Sequence, residues 1–177
     1  MIALVKIIHV LALGLWAGGM TFFMFFTALP LISQLPENVK QPGHWLNSTH
    51  GADGIRLAGE SLEIIFVKYF PYQVICGLIA LGTSLVWFSS EGWVHKLRIG
   101  LLVAAVGLAV TNWLYLAPTV SQARTERYST DPKVKEQAEA TFKKMHGYSL
   151  TTDIVTLLLA GAGLAMTIWL PMPVKEG

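Results

Sequence analysis

The chain has 177 residues, of which 53% are hydrophobic and only 14% are charged, and its formal net charge is +2. All 13 basic and 11 acidic residues fall outside four windows, which are residues 10–36, 69–90, 99–123 and 154–174. Uncharged windows of this length exclude a soluble globular enzyme, an intrinsically disordered chain and a β-barrel, whose strands would alternate in polarity.

Each window is long enough to cross a membrane as a helix. A helix rises about 1.5 Å per residue, so about 20 residues span a hydrocarbon core about 30 Å thick. The predicted fold class is therefore all-α, an integral membrane four-helix bundle in which residues 1–177 form a single domain. In chain order, the predicted spans cover approximately residues 2–29, 69–88, 94–116 and 148–170. Pro30, Pro118 and Pro171 are expected to end spans, and Pro71 to lie in a first helical turn.

Two long connections, residues 31–68 and 119–147, are predicted to lie on one side of the membrane, because four spans return the chain to its starting side. The second connection is expected to contain an additional soluble or interfacial helix before the fourth span, beginning at Asp131-Pro132. The two connections carry nine lysine and arginine residues against four on the other side, which favours long connections in the cytoplasm. We therefore expect a protein of the bacterial inner (cytoplasmic) membrane, with its first helix retained.

One group of polar residues is predicted near the membrane face that carries the termini. Lys6, His9 and Trp16 share one stripe of the first helix, and the third helix begins with His95 and Arg98. Two neutral imidazoles on neighbouring helices are suited to hold a b-type haem from both sides, with Lys6 or Arg98 near its propionates. The alternative is that His95 and Arg98 form an interfacial anchor and that His9 is a hydrogen-bonded residue of the bundle.

A second group is predicted at one depth below the opposite face. Counting helical rise places Gln73, Asn112 and Asp153 about 6 to 9 Å below that face, with His146 two turns from Asp153 on the same helix face. A carboxyl group at this depth needs protonation, a histidine or a cation to neutralise it. The group is interpreted either as an interhelical hydrogen-bond network or as a pocket for a quinone head group, protons or a cation.

Other site chemistry has little support in the sequence. His44 and His50 in the first connection are a weak metal-ligand candidate, because they lack further ligand spacing. No phosphate-binding loop, dinucleotide fingerprint, nucleophile elbow or zinc-protease motif is present, so no reaction can be assigned. The small net charge gives no reason to expect nucleic acid as a partner.

Several short motifs, taken in order, resemble those of an uncharacterised four-span membrane family that contains a human protein implicated in cisplatin resistance. They are Lys6-Ile7-Ile8-His9, Phe70-Pro71, Asn112 followed by Pro118-Thr119, and His146-Gly147-Tyr148-Ser149. More distantly, His9, Trp16 and Gly18 resemble the first helix of the CopD/HemJ-like superfamily, which includes a haem-containing protoporphyrinogen oxidase. The first resemblance implies a four-helix membrane bundle, and the second implies that His9 is a haem ligand. Ala117 and Asp153 depart from the family pattern, which often has an acidic residue and an asparagine there.

These observations lead to one functional hypothesis and two alternatives. The hypothesis is a b-type haem-binding electron-transfer subunit or partner of a membrane redox complex, with His9 and His95 as axial ligands. The second polar group would then serve a quinone or protons. The alternatives are a non-catalytic protein that handles metals, ions or drugs, and a cofactor-free structural subunit. All three place the protein in a lipid bilayer, and the haem hypothesis adds other membrane subunits of a redox complex as partners.

Overall fold

The computed structural model describes residues 2–41, 54–86 and 92–169, and within these ranges every regular element is helical. We label the α-helices α1 to α6 in chain order. The two π-helical segments are called the first and the second π-helical segment. The elements are α1 (Ile2–Phe22), the first π-helical segment (Phe23–Ala28), α2 (Leu29–Lys40), α3 (Gly54–Leu85), α4 (Trp93–Thr111), the second π-helical segment (Asn112–Leu116), α5 (Ala117–Glu126), α6 (Pro132–Ala165) and a 3₁₀ turn (Met166–Trp169).

Four continuous helical stretches among the described residues are long and apolar enough to cross a membrane. They are Ala3–Lys40, Gly54–Leu85, Trp93–Glu126 and Pro132–Ile168. Large apolar side chains on each of them are exposed, including Leu11, Ile64, Val103 and Leu158. Such surfaces are stable against lipid but not against water. The predicted all-α integral membrane fold is confirmed.

The expectation that Pro30 and Pro118 end their helices is wrong. The first stretch continues past Pro30 to Lys40, and the third continues past Pro118 to Glu126. Consequently, the residues assigned to the two long connections are largely helical where the structure describes them. Pro171 lies outside the described residues.

The two π-helical segments explain why these prolines do not end the helices. Leu29, the residue before the first proline, donates its N–H to the carbonyl oxygen of Met24, five residues back. Ala117 does the same to the carbonyl oxygen of Asn112. A proline ring would clash with the carbonyl group four residues before it in a regular α-helix. A wider turn immediately before the proline moves that carbonyl group and lets the helix continue.

The other predicted boundaries also shift. Pro71 was expected in a first turn but lies inside α3, where its missing N–H deprives the Val67 carbonyl group of its intrahelical donor. The polar helix before the fourth span begins at Pro132 as expected, with Asp131 as its N-cap accepting a 2.9 Å hydrogen bond from the Lys133 N–H. This helix then continues without a break into the fourth span.

Contacts divide the chain into two compact units. The first unit comprises Met1–Ala17 and Phe70–Gly177, and the second comprises Gly18–Tyr69. In the second unit, Phe23 packs against the rings of Phe66 and Tyr69.

Two glycines allow close helix packing in the first unit. A Cβ atom on Gly77 of α3 would lie 2.7 Å from the Trp16 ring of α1 and 2.8 Å from the Val106 side chain of α4. A Cβ atom on Gly163 of α6 would lie 3.1 Å from the Leu102 side chain of α4. The first unit therefore packs α1 up to Ala17 and α3 from Phe70 onward with α4 and α6, and it contains every described residue of both predicted polar groups.

Candidate functional site

The first polar group is centred on His9, whose side chain is completely buried on α1. Its Nδ1 atom lies 3.0 Å from the Ala80 carbonyl oxygen and 2.9 Å from Thr83 Oγ1, both on α3. Thr83 donates its own hydroxyl proton within α3, to the carbonyl oxygen of Ile79 at 2.7 Å. A carbonyl oxygen can only accept, so His9 Nδ1 carries the proton and Nε2 carries the lone pair of the neutral imidazole.

His95 and Arg98 form a buried pair one turn apart on α4. Arg98 is only 2% exposed, and its Nη2 atom donates a 2.8 Å hydrogen bond to His95 Nδ1. Because guanidinium is always a donor, Nδ1 of His95 is the acceptor and its neutral ring carries the proton on Nε2. That Nε2 atom is buried and has no hydrogen-bond partner among the described residues. The pair therefore presents a guanidinium group and an additional N–H donor, which is the chemistry of an oxyanion site.

The two parts of this group lie close together. Arg98 is near enough for its positive charge to influence the His9 ring. Lys6, one turn before His9, is half-buried. Trp16 lies seven residues beyond His9, about 10 Å along α1, where its ring lies against Gly77 of α3. The structure therefore brings His9, His95 and Arg98 together and places Trp16 in the adjacent packing layer.

The second polar group is centred on Asp153 of α6, whose side chain is buried. Its Oδ1 atom accepts a 3.2 Å hydrogen bond from Gln73 Nε2 and a 3.1 Å hydrogen bond from Asn112 Nδ2. Gln73 is on α3, and Asn112 is the first residue of the second π-helical segment. Three helical elements therefore converge on one carboxyl group, and the predicted coincidence in depth corresponds to direct contact.

Ser149, one turn before Asp153, completes this network. Its hydroxyl group donates a 2.7 Å hydrogen bond to Asn112 Oδ1, while Asn112 Nδ2 also approaches the Ser149 carbonyl oxygen at 3.3 Å. These contacts fix the Asn112 amide with its NH₂ group towards Asp153.

The remaining candidates lie elsewhere. His146 is exposed and stacks on Phe142 of its own helix, with ring centroids 5.3 Å apart. Within the described part of the chain, no hydrogen bond or ion pair joins it to Asp153. His44 and His50 lie outside the described residues. Within the ranges that the structure describes, no three His, Cys, Asp or Glu side chains group to hold a metal ion.

Sequence reasoning missed the partners that α3 supplies to His9. Ala80 contributes only a backbone oxygen, which no sequence pattern reveals. Thr83 and the fully buried Ser84, three and four residues after Ala80, were detectable as adjacent hydroxyl residues near the end of an apolar span. Their position relative to His9 depends on the pairing of α1 with α3.

Comparison with known proteins adds a family match without a function. Residues 53–129 match a domain of unknown function (DUF4149). No curated protein and no solved structure matches the chain. The matched segment contains Gln73, His95, Arg98 and Asn112, whereas His9 and Asp153 lie on either side of it. The match fits an uncharacterised membrane family, in agreement with the four apolar helices.

Proposed function

We propose that this protein binds a b-type haem through His9 and acts as an electron-transfer subunit or partner of a membrane redox complex. The observation that supports the proposal is the hydrogen bond between His9 Nδ1 and the Ala80 carbonyl oxygen. Histidines that bind metals usually donate their other ring N–H to a carbonyl or carboxylate oxygen, which fixes the tautomer and makes the ligating nitrogen more basic. A buried imidazole with this partner is suited to be an axial haem ligand.

The pair formed by His95 and Arg98 suits the haem propionates better than the iron. The Arg98 hydrogen bond places a proton on His95 Nε2, and a protonated nitrogen cannot ligate a metal. The same proton and the guanidinium group are good partners for a carboxylate, with Lys6 adding positive charge near the membrane face. The proposal therefore keeps His9 as an axial ligand. It replaces the predicted axial role of His95 with a role in orienting the haem through its propionates.

When bound, a b-type haem supplies one-electron transfer. The chain itself would bind the group through His9, neutralise its carboxylates through Arg98, and exclude water with buried side chains such as Leu13 and Trp16. A low-polarity surrounding of this kind and the charge of Arg98 are the features that tune a haem reduction potential.

An absorption spectrum of the purified protein tests this proposal. The protein would be produced with a haem precursor in the medium, purified in detergent and measured before and after dithionite reduction. We expect a Soret band that shifts on reduction and is lost in His9→Ala. His146→Ala is the matched control, because that histidine is exposed on α6 and should leave the band unchanged. A wild-type protein that folds but shows no Soret band in either redox state would refute haem binding.

The same experiment separates the roles of the two buried histidines. We expect His95→Ala to retain the Soret band with lower haem occupancy, because it loses a propionate partner. A low-spin spectrum in the wild type that becomes high-spin in His95→Ala would instead support axial ligation by both histidines. A pigment-free protein that co-purifies with a larger complex would support the structural-subunit alternative.

A further inference from the structure

The network around Asp153 contains an acceptor that lacks a donor. Gln73 is 1% exposed, and its Oε1 atom is buried with no hydrogen-bond partner among the described residues. The other atom of the same amide, Nε2, donates to Asp153 Oδ1. A buried carbonyl oxygen without a donor is costly, and more so in a bundle surrounded by lipid. A hydrogen-bond donor or a cation beside Gln73 Oε1 would therefore stabilise the site.

The rest of the network shows which polar atoms around Asp153 are already engaged. Ser149 fixes the Asn112 amide, so Asn112 presents an N–H donor and not an oxygen to Asp153. Asp153 Oδ1 consequently accepts two amide N–H groups from different elements. The second carboxyl oxygen, Oδ2, belongs to the same planar group that Gln73 Nε2 already bonds. The hydrogen bond from Gln73 Nε2 to Asp153 Oδ1 joins the amide and the carboxyl group once. Each group then has one further oxygen atom, Oε1 on the amide and Oδ2 on the carboxyl group.

We propose that Asp153 is a proton-binding site within the membrane, with the proton held on Oδ2 and shared with Gln73 Oε1. In the protonated form, the carboxyl group donates one hydrogen bond and accepts two. The orphaned Gln73 oxygen then gains its donor, and the two planar groups make a cyclic acid–amide pair. On loss of the proton, the carboxylate keeps the two amide donors, so the site can hold both states. This inference does not rest on the haem proposal.

The ion pairs of the described residues do not involve Asp153, so none of them replaces the proton. On the elements packed around it, the titratable groups include Tyr72 and Cys76 on α3, Tyr115 on the second π-helical segment, and His146 and Tyr148 on α6 itself, whereas His95 and Arg98 of α4 belong to the first polar group. The Tyr72 hydroxyl group is engaged with the Leu15 carbonyl oxygen. Tyr115, Tyr148 and His146 are exposed.

Infrared spectroscopy of the intact protein in detergent or lipid tests the proposal without requiring a reagent to reach the site. The C=O stretch of a protonated carboxyl group is separate from that of a carboxylate. Between about pH 6 and 7, nearly all exposed aspartates and glutamates are ionised, so little else contributes to this band. We expect a protonated-carboxyl band that shifts down in D₂O, decreases as the pH rises and is lost in Asp153→Asn. Asp131→Asn, which changes an exposed helix cap, should leave it unchanged.

Further measurements distinguish the proton from other guests. Asp153→Glu should retain a protonated-carboxyl band at a changed frequency, which guards against loss of the band through misfolding in Asp153→Asn. Gln73→Leu should shift the frequency of the Asp153 band, because its hydrogen-bond partner is removed. A wild-type band that is absent throughout this pH range would overturn the proposal. A band that Na⁺ abolishes at constant pH while K⁺ does not would reassign the site to a metal cation and overturn the proton assignment.

Discussion

At the scale of single residues, the polar side chains of the bundle are defined by partners on other helices. His9 bonds to α3, and Asp153 bonds to both α3 and the second π-helical segment. Each of these bonds satisfies a group that lipid cannot solvate, and it also fixes how two helices are rotated against each other. The same contacts therefore serve packing and give each site its chemistry.

Replacing Asp153 tests how much the network contributes to stability. Asp153→Ala leaves Gln73 Nε2 without its acceptor, whereas Asn112 Nδ2 keeps the Ser149 carbonyl oxygen. We expect a loss of about 1–3 kcal/mol, the usual cost of an unsatisfied buried donor. Asp153→Asn retains an oxygen for both amide donors and offers an N–H to Gln73 Oε1, so its stability should stay close to that of the wild type. Thermal unfolding in detergent measures both variants. Equal destabilisation by the two substitutions would contradict the described network.

At the scale of elements, the π-helical segments have the largest effect on the arrangement of side chains. A π turn inserts one residue into the helical repeat, so every side chain after it is rotated relative to a regular α-helix. Asn112 lies at the start of such a segment, and Pro118 follows its end. The π turn that lets the helix continue past Pro118 therefore begins at the residue whose amide bonds to Asp153.

Gly77 makes a second element-level contact that substitution can test. Its missing Cβ atom leaves room for the Trp16 ring and for Val106, so Gly77→Ala would press α3 against α1 and α4. Overpacking of this kind costs about 1–3 kcal/mol. Gly82→Ala is the matched control, because it is on the same helix and its Cβ atom would meet nothing within 4 Å. We expect a lower unfolding temperature for Gly77→Ala alone, and equal unfolding temperatures for both variants would contradict the packing.

At the scale of the whole molecule, four membrane-crossing helices place the connection between α5 and α6 opposite the one between α3 and α4. Residues 31–68 and 119–147, which were predicted as the two long connections, carry the excess of lysine and arginine. This excess favours a cytoplasmic position for the connection between α5 and α6. Single cysteines at Thr130→Cys and Gly92→Cys, in a Cys76→Ala background, would report on this orientation. A maleimide that cannot cross the membrane should label Gly92→Cys in intact cells and Thr130→Cys only in inverted vesicles.

The two variants serve as controls for each other in this experiment. The reverse labelling pattern would contradict the orientation but keep the four-span topology. Labelling of both positions from the same side would contradict the topology itself, because the Trp93–Glu126 stretch separates them.

The number and approximate position of the spans were predictable from the sequence, because an uncharged run of about 20 residues leaves lipid as its favourable surroundings. The shared depth of Gln73, Asn112 and Asp153 was also predictable, since axial rise depends only on counting residues. The same reasoning failed for Pro30, Pro71 and Pro118. Whether a proline ends a helix depends on whether the preceding turn can widen and whether neighbouring helices support it.

The partners of each polar side chain were decided only by the tertiary structure. Depth along the membrane normal follows from the sequence, but rotation about each helix axis depends on how all the helices pack together. His146, on the same face of α6 two turns before Asp153, stacks on Phe142 of its own helix, whereas Asp153 meets Gln73 of α3, so depth and helix face alone do not determine which of the two has a partner on another helix. Helix packing also pairs His9 with a backbone oxygen of α3, a contact that residue types alone do not predict. The sequence alone therefore determined that polar groups lie within the membrane, and helix packing determined which of them meet.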